Sequence, residues 1–345
     1  MAKVITLKDV AREAGVHIST ASRALNDETR SGVNVDTADR VLVAAARLGY
    51  QPHPLARGLR TNRTWTVGMV VPDLMNPLFP PIFAGAQNAL DEIGYSLLIG
   101  ADDEALERTG TVMTTFLERR VDGMLVANAH LDFTAPEALL RHEVPTVLIN
   151  RSARDDSFPA IVGDDRTGLA LVVRHLVELG HTRIAHVAGP HDISTGLCRR
   201  QAFLNALEDE GLASSERLVF EAGSFRIENG RAACDRLLDS GEEVTAIVAA
   251  NDLIALGCID AIQARGLSVP SDLSVTGYND MTFVDRLEPP LTTVSVPYEA
   301  MGAAAAEVLL RLLAADDDGG DTAYEPVQLP PSLVVRASTG PIRPS

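Results

Sequence analysis

Apolar and polar positions follow two different rhythms along this chain, and the change from one to the other falls near Trp65. Before it, residues 5–50 carry apolar positions at helical spacing and predict three short helices without a strand. Thr6 with Asp9 three residues on forms a capping-box pattern for a first helix through Ala14, which Gly15 ends. A second helix is expected from about His17 to Leu25, and a third from about Val35 to Leu48 with Asn34 as its N-cap and Gly49 after its end. Val10, Ala11, Ala14, Val16, Ala21, Leu25, Val41, Ala45 and Leu48 can then close a small core. That leaves Ile18, Ser19, Ser22 and Arg23 facing outward on the second helix.

After Trp65 short apolar runs alternate with amphipathic stretches. TVGMVV (66–71), YSLLIG (95–100), GMLVA (123–127) and TVLIN (146–150) fit buried parallel strands, with helices expected near 78–93, 104–119 and 134–142. A second series repeats the plan: AIVGDD (160–165), RIAHVAG (183–189), TAIVAA (245–250) and LSVTGY (273–278), with helices near 166–179, 195–210, 227–239 and 251–265. Residues 292–335 add a strand, a helix around 298–314, the acidic loop ADDDGGD and a last strand SLVV, enough to weave the chain back across both series. The expected fold is therefore α/β: an all-α head followed by two doubly wound lobes of parallel sheet. Open sheets of this kind bind ligands at the carboxyl ends of their strands, so the cleft between the lobes is the expected site.

The formal net charge of −17 argues against nucleic-acid binding until it is divided along the chain. Residues 1–65 hold ten Lys and Arg against six Asp and Glu, so a basic head sits on a strongly acidic body. Such a molecule presents one end to a polyanion and repels it from the rest. No run reaches the roughly 20 apolar residues of a membrane span, and the start lacks a signal-peptide core, so a cytoplasmic protein without a membrane partner is expected. Cys198, Cys234 and Cys258 are too scattered for a disulfide framework or a zinc site and are expected as buried reduced thiols. His181, His186 and His191 share no helical face, and structural histidines are expected rather than metal ligands. Neither a metal nor a cofactor is expected.

GVHISTASRALN (15–26) is a glycine turn leading into a helix with a short polar face, the build that enters a major groove about 12 Å wide; an ordinary three-helix bundle is the alternative. In YQPHPLARGLRT (50–61), Pro52 and Pro54 forbid continuation of the third helix, and Pro54 suits the first position of a new single turn or a tether. Together with TLKDVAREAGVHISTASRALN (6–26), these segments resemble the lactose-repressor family of bacterial transcriptional regulators. The resemblance implies that Ile18, Ser19 and Arg23 read bases while Thr20, Ser22 and Asn26 position phosphates, with Thr6 and Thr37 as further DNA contacts. The chemistry agrees, since Arg23 can pair bidentately with a guanine edge and Ile18 can contact a thymine methyl. The loop DETRSGVN is longer than the family's common form. The resemblance also implies a hinge helix in which Leu59 wedges into the minor groove, flanked by Arg57 and Arg60 on phosphates. Gly58 departs there from the commoner Ser or Gln.

DLMNPLF (73–79), LVELGHTRIAHVAGP (176–190), AANDLIALG (249–257) and GYNDMTFVDRLEPPLTTV (277–294) extend the resemblance over nearly the whole sensor, which implies a periplasmic-binding-protein-like fold. Carried over by position, it implies an effector cleft lined by Asn76, Phe79, Asp102, Asn128, Asn150, Arg199, Phe225, Asn251 and Asn279. For each asparagine the alternative is a loop or cap residue at a strand end. Leu197 and Asn279 stand where family members often carry arginine and aspartate. A sugar or polyol is the expected effector, with a small carboxylate or a purine as alternatives.

The expected domains are 1–50 for the helix-turn-helix, 51–64 for the hinge and 65–345 for the sensor. Its first lobe would span about 65–162 and 294–320, and its second about 163–293 and 321–340. An enzyme is not expected: Lys3 and Lys8 are the only lysines, both in the head, and no GxSxG, HExxH or GxGxxG occurs. A solute-binding receptor of a transport system is the rival reading, and it has no use for residues 1–61. The expected assembly is a homodimer on pseudo-palindromic double-stranded operator DNA, without a C-terminal coiled coil, allosterically controlled through the cleft. A hinge helix this short is unstable alone. The segment 54–60 is therefore expected to show helical NMR shifts only when a dimer is on DNA; a helix already formed in the free chain would contradict this.

Overall fold

A computed structural model describes residues 5–50, 63–102, 111–133, 143–154, 157–213, 215–318 and 327–342. The chain divides into two compact units, Met1–Trp65 and Thr66–Ser345.

In the first unit, α1 (Leu7–Glu13) carries the expected capping box between Thr6 and Asp9. Helix α2 (Ile18–Ala24) is capped by His17, whose ring accepts from the Ser19 N–H. Helix α4 (Val35–Leu48) starts at Asn34, whose side chain accepts from Asp36 N–H, and ends at Gly49 in the left-handed conformation. Between them lies a turn absent from the sequence expectation, α3 (Asp27–Arg30). It holds because Arg30 Nε donates to Ala24 O at 2.9 Å and Thr29 Oγ1 to Arg23 O at 3.1 Å, tying the loop to the end of α2. All nine expected core residues pack together, joined by the small residues Ala24, Ala38 and Ala44.

In the second unit two six-stranded sheets repeat one order. The first contains β1 (Thr66–Val71), β2 (Ser96–Ala101), β3 (Gly123–Val126), β4 (Thr146–Ile149), β5 (Ala160–Gly163) and β11 (Val327–Leu329) in the order 11-5-4-3-1-2, all parallel. The second contains β6 (Ile184–Ala188), β7 (Val219–Glu221), β8 (Ala246–Ala249), β9 (Ser274–Asn279), β10 (Thr292–Ser295) and β12 (Ser332–Val334) in the order 12-10-9-8-6-7. Here only the β10–β12 pair is antiparallel. Helices α5 (Phe79–Asp91), α6 (Thr111–Glu118), α7 (Asp165–Glu178), α8 (Ser194–Asp209), α9 (Ile227–Asp239), α10 (Asp252–Ala264) and α11 (Tyr298–Asp318) connect and cover them. Strands β3, β4, β6, β8 and β9 are buried along their whole length, as strands covered on both faces must be, whereas edge strand β2 is only partly covered.

The chain crosses between the sheets after β5, after β10 and after β11. The last crossing corrects the expected lobe limits. Residues 321–340 do not all belong to the second lobe, because Val327–Leu329 pairs with β5 before Pro330 and Pro331 lead into β12. Strand β7 was also not foreseen; Val219–Glu221 is too short to carry a periodic signal. The helix expected at 134–142 lies outside the described residues. Cys234 and Cys258 are buried as expected, but Cys198 is exposed.

Helix α11 returns from the second sheet to cover the first, and it meets α5 at two glycines. A Cβ on Gly85 would stand 1.8 Å from Glu299 O, and one on Gly302 would stand 2.1 Å from Ile82 O. Backbone touches backbone there, so neither helix can yield by rotating a side chain. Gly302→Ala is expected to destabilise the protein by roughly 1–3 kcal/mol through overpacking, read as a lower urea midpoint; an unchanged midpoint would refute the close approach.

Candidate functional site

A parallel strand ends where its loop must turn back, and these loops build the cleft. Asp73 and Asn76 follow β1, Asn150 follows β4, Phe225 follows β7, Asn251 follows β8, and Asn279 ends β9. They surround a cavity of about 490 Å³, within the size range of small-molecule sites. Seven of the nine residues expected there line it: Asn76, Phe79, Asn150, Arg199, Phe225, Asn251 and Asn279.

Asp102 and Asn128 do not. The Asp102 side chain is buried and its Oδ1 accepts from Val112 N–H at 3.3 Å in the first turn of α6, so the helix start claims it. Asn128 is buried and is not part of the lining, whereas His130, two residues on, is. Sequence reasoning missed Asp73, His130, Arg151, Asp192, Thr195 and Arg226. Three of these adjoin or nearly adjoin expected residues, so each loop was found but its second contribution was not.

Local hydrogen bonds hold the lining in place. Asn76 Oδ1 accepts from Leu78 N–H at 3.1 Å, and Asn251 Oδ1 caps α10 by accepting from Ile254 N–H at 2.8 Å. Asn150 and Asn279 take positive φ values of 64° and 116°, which asparagine tolerates better than most residues. Asn279 Oδ1 accepts from Tyr298 Oη at 2.6 Å. The Phe225 ring lies against Gly189, where a Cβ would come within 2.5 Å of it. Ser224 and Asn229 pin its loop, since Ser224 Oγ donates to Asn229 Oδ1 and Asn229 Nδ2 donates to Ala222 O.

Arg199 is the buried cation of the site, 4% exposed. Its Nε donates to Asp165 Oδ1 at 3.0 Å, its Nη1 to Ala250 O at 2.8 Å, and its Cζ sits 3.9 Å over the Tyr278 ring. Burial alone would lower its pKa, but Asp165 and the two tyrosines raise it above the ordinary arginine value. It stays charged. Beside its amides and rings the cleft holds this committed guanidinium, Arg151, Arg226 and the carboxylates Asp73 and Asp192, with His130 Nδ1 3.2 Å from Asp192 Oδ2.

On the head, α2 exposes Ile18, Ser19 and Arg23, with Ile18 42% exposed. Ser19 Oγ lies 2.8 Å from His17 Nδ1. Thr20, Ser22, Asn26 and Thr37 are half-buried. Thr6 is exposed, but its hydroxyl donates to Asp9 Oδ2 at 2.7 Å within the capping box. Arg57, Leu59 and Arg60 lie outside the described residues. The three histidines each have a structural partner: His181 meets Thr245 and Gly340 O, His186 meets Val248 O, and His191 meets Glu221. Among the described residues no helix is long and apolar enough to cross a membrane.

Residues 6–53 match the family described as bacterial regulatory proteins, lacI family, and residues 173–339 match the periplasmic binding protein-like domain. The HTH-type transcriptional regulator DegA of Bacillus subtilis is 32% identical over 340 residues, covering 98% of each chain. The chain belongs to the lacI family. This regulator is similar along 98% of its length to a solved lac repressor dimer bound to operator and the anti-inducer ONPF, with a TM-score of 0.82 at 29% identity and all of that chain covered. It is also similar to a solved complex of the transcriptional regulator CelR with cellobiose, with a TM-score of 0.71 at 32% identity over 97% of this chain and 99% of that one. The regulator is a DNA-binding transcription factor with a ligand-binding sensor and is not an enzyme. A transporter receptor is not favoured, since relatives that match from end to end are regulators.

Behind the cleft, Asp252 is fully buried and accepts from Met281 N–H at 2.8 Å and Thr293 Oγ1 at 2.5 Å. Burial pushes its pKa from 3.8 up to about 7. With the folded value above the unfolded one, its contribution to stability is complete below about pH 4 and is lost as the pH rises through about 7. His186, lowered by burial to about 4, acts in the opposite direction and is common to both proteins in a mutant comparison. Asp252→Asn is expected to lose less unfolding free energy than wild type between about pH 4 and about pH 7, measured by urea denaturation; parallel pH profiles would contradict it.

Proposed function

We propose that this regulator is a repressor that binds a pseudo-palindromic operator as a homodimer and is switched by a small hydroxylated effector, a sugar or polyol, held in the cleft of its sensor. The observation that carries the effector half is the cavity at the strand ends, lined by five asparagines, Arg199 and two phenylalanine rings. Amides match hydroxyls in paired fashion, and rings cover the apolar face of a sugar. Cellobiose in the related CelR complex supports the same class.

The proposed division of labour is residues 1–50 for DNA, 51–64 for a hinge and 65–345 for the sensor. On α2, Ile18, Ser19 and Arg23 read base edges in the major groove, while Thr20, Ser22, Asn26 and Thr37 position the backbone. Thr6 serves mainly as the cap of α1, and Leu59 with Arg57 and Arg60 acts at the minor groove. The lac repressor dimer on operator supports this arrangement. If the effector favours one closure of the two lobes and only that closure sets two heads on both half-sites, the two binding events are linked reciprocally, typically by ~1–3 kcal/mol.

A thermal-shift screen of sugars, polyols, organic acids and purines, repeated as operator gel shifts, tests the reading. A hit that changes operator affinity supports it, and turnover of the hit would sink it. Arg23→Ala is expected to weaken operator binding by about 1–3 kcal/mol and relax discrimination at one base pair, while binding to random DNA changes far less; equal losses on both DNAs would remove Arg23 from base reading.

A further inference from the structure

The hydrogen bonds inside the cleft decide which atom each lining amide presents to a ligand. A backbone N–H only donates, so the side-chain atom facing Ile254 N–H must be the oxygen of Asn251, and the atom facing Leu78 N–H must be the oxygen of Asn76. At Asn279 the partner is a hydroxyl: Tyr298 Oη donates to Asn279 Oδ1 at 2.6 Å. Each of the three carboxamide oxygens already accepts one hydrogen bond from the protein, which fixes the opposite end of each amide as the donor Nδ2.

Two of these donors share one wall. Asn251 follows β8, Asn279 ends the neighbouring β9, and the buried Arg199 guanidinium reaches Ala250 O immediately beside them. We infer that the effector carries an oxyanion, a carboxylate or a phosphate, seated against Asn251 and Asn279 with Arg199 behind. This rests on the proposed effector role of the cleft and narrows its ligand to a hydroxylated acid or a sugar phosphate. A hydroxyl brings a proton that needs an acceptor of its own, and the Asn251 and Asn279 oxygens on this wall already accept from Ile254 N–H and Tyr298 Oη. An oxyanion accepts from both amides and has no proton to place.

The other charges around the cavity are compatible with this seat. Arg151 and Arg226 add cationic groups to the lining. Of the two acids there, Asp73 Oδ1 is taken by Met75 N–H and Asp192 Oδ2 faces His130 Nδ1 at 3.2 Å. Asp252 lies behind the wall, and its raised pKa leaves it largely protonated below about pH 7. Asp73 and Asn150, on the opposite wall, can meet the hydroxyls of the scaffold.

The test is isothermal titration of the full chain, at fixed ionic strength, with inorganic phosphate, glucose, gluconate and glucose 6-phosphate. Phosphate is expected to bind, and gluconate or glucose 6-phosphate is expected to bind about tenfold or more tighter than glucose, the effect of one charge-assisted hydrogen bond. Which of the two is preferred tells a carboxylate from a phosphate. Asn279→Asp turns the donor into a charged acceptor and should abolish the preference. Tyr298→Phe, which frees the Asn279 amide to turn, should shrink it while sparing glucose. Glucose binding as tightly as its acids, or no binding of phosphate, gluconate and glucose 6-phosphate alike, overturns the inference. An operator gel shift on the same protein separates the two failures, because a chain that binds operator and responds only to neutral sugars keeps the regulator reading and loses this one.

Discussion

The buried Arg199–Asp165 pair is the interaction on which the sensor's geometry turns. Asp165 opens α7 just after the chain leaves the first sheet, and Arg199 sits on α8. Through Ala250 O and the Tyr278 ring the guanidinium also reaches the end of β8 and the body of β9, and Tyr298 at the start of α11 acts on it electrostatically. Two of these points, Asp165 and Tyr298, lie at places where the chain passes between sheets. Burying a guanidinium costs several kcal/mol unless its hydrogen bonds are met, and removing one partner of such a pair typically costs about 3–5 kcal/mol. The elements it touches are held to one arrangement because any other leaves that charge unmet.

Around this point the parallel sheets do the rest. The same strand order in both sheets sends their loops to the carboxyl ends, and the buried strands β3, β4, β6, β8 and β9 give those loops rigid roots. Polar residues then sit where backbone groups would otherwise go unpaired. Asn76 and Asn251 each serve a local N–H first and the cleft second. Cap and ligand contact are therefore one residue's two ends rather than competing explanations of it.

That double use explains how much could be read from the sequence. Periodicity marked most of the long helices and buried strands to within a residue or two, because in them burial follows chain order, although α11 runs on to Asp318, past its expected end near 314. Strands β7 and β11 escaped because three residues carry no period, and α3 escaped because it depends on side chains of Thr29 and Arg30 reaching back to α2. Seven of the residues that the resemblance implies line the cavity, whereas Asp102 serves the start of α6 and Asn128 is buried outside the lining. What no linear pattern carried was orientation: which end of an amide faces the cleft depends on partners as far apart as Asn279 and Tyr298.

The three crossings also bear on how the chain is made. The first sheet begins at Thr66, yet its sixth strand is Val327–Leu329 and the helix that covers α5 does not start until Tyr298. Until then the close-packed face of α5 around Ile82, Gly85 and Ala86 has no cover. On the ribosome the earlier lobe in sequence thus stays open while the second lobe's first five strands emerge, and neither sheet is complete until the chain has passed Leu329. The first sheet is completed by Val327–Leu329, some 260 residues after its first strand began, and the second by Ser332–Val334 directly after it.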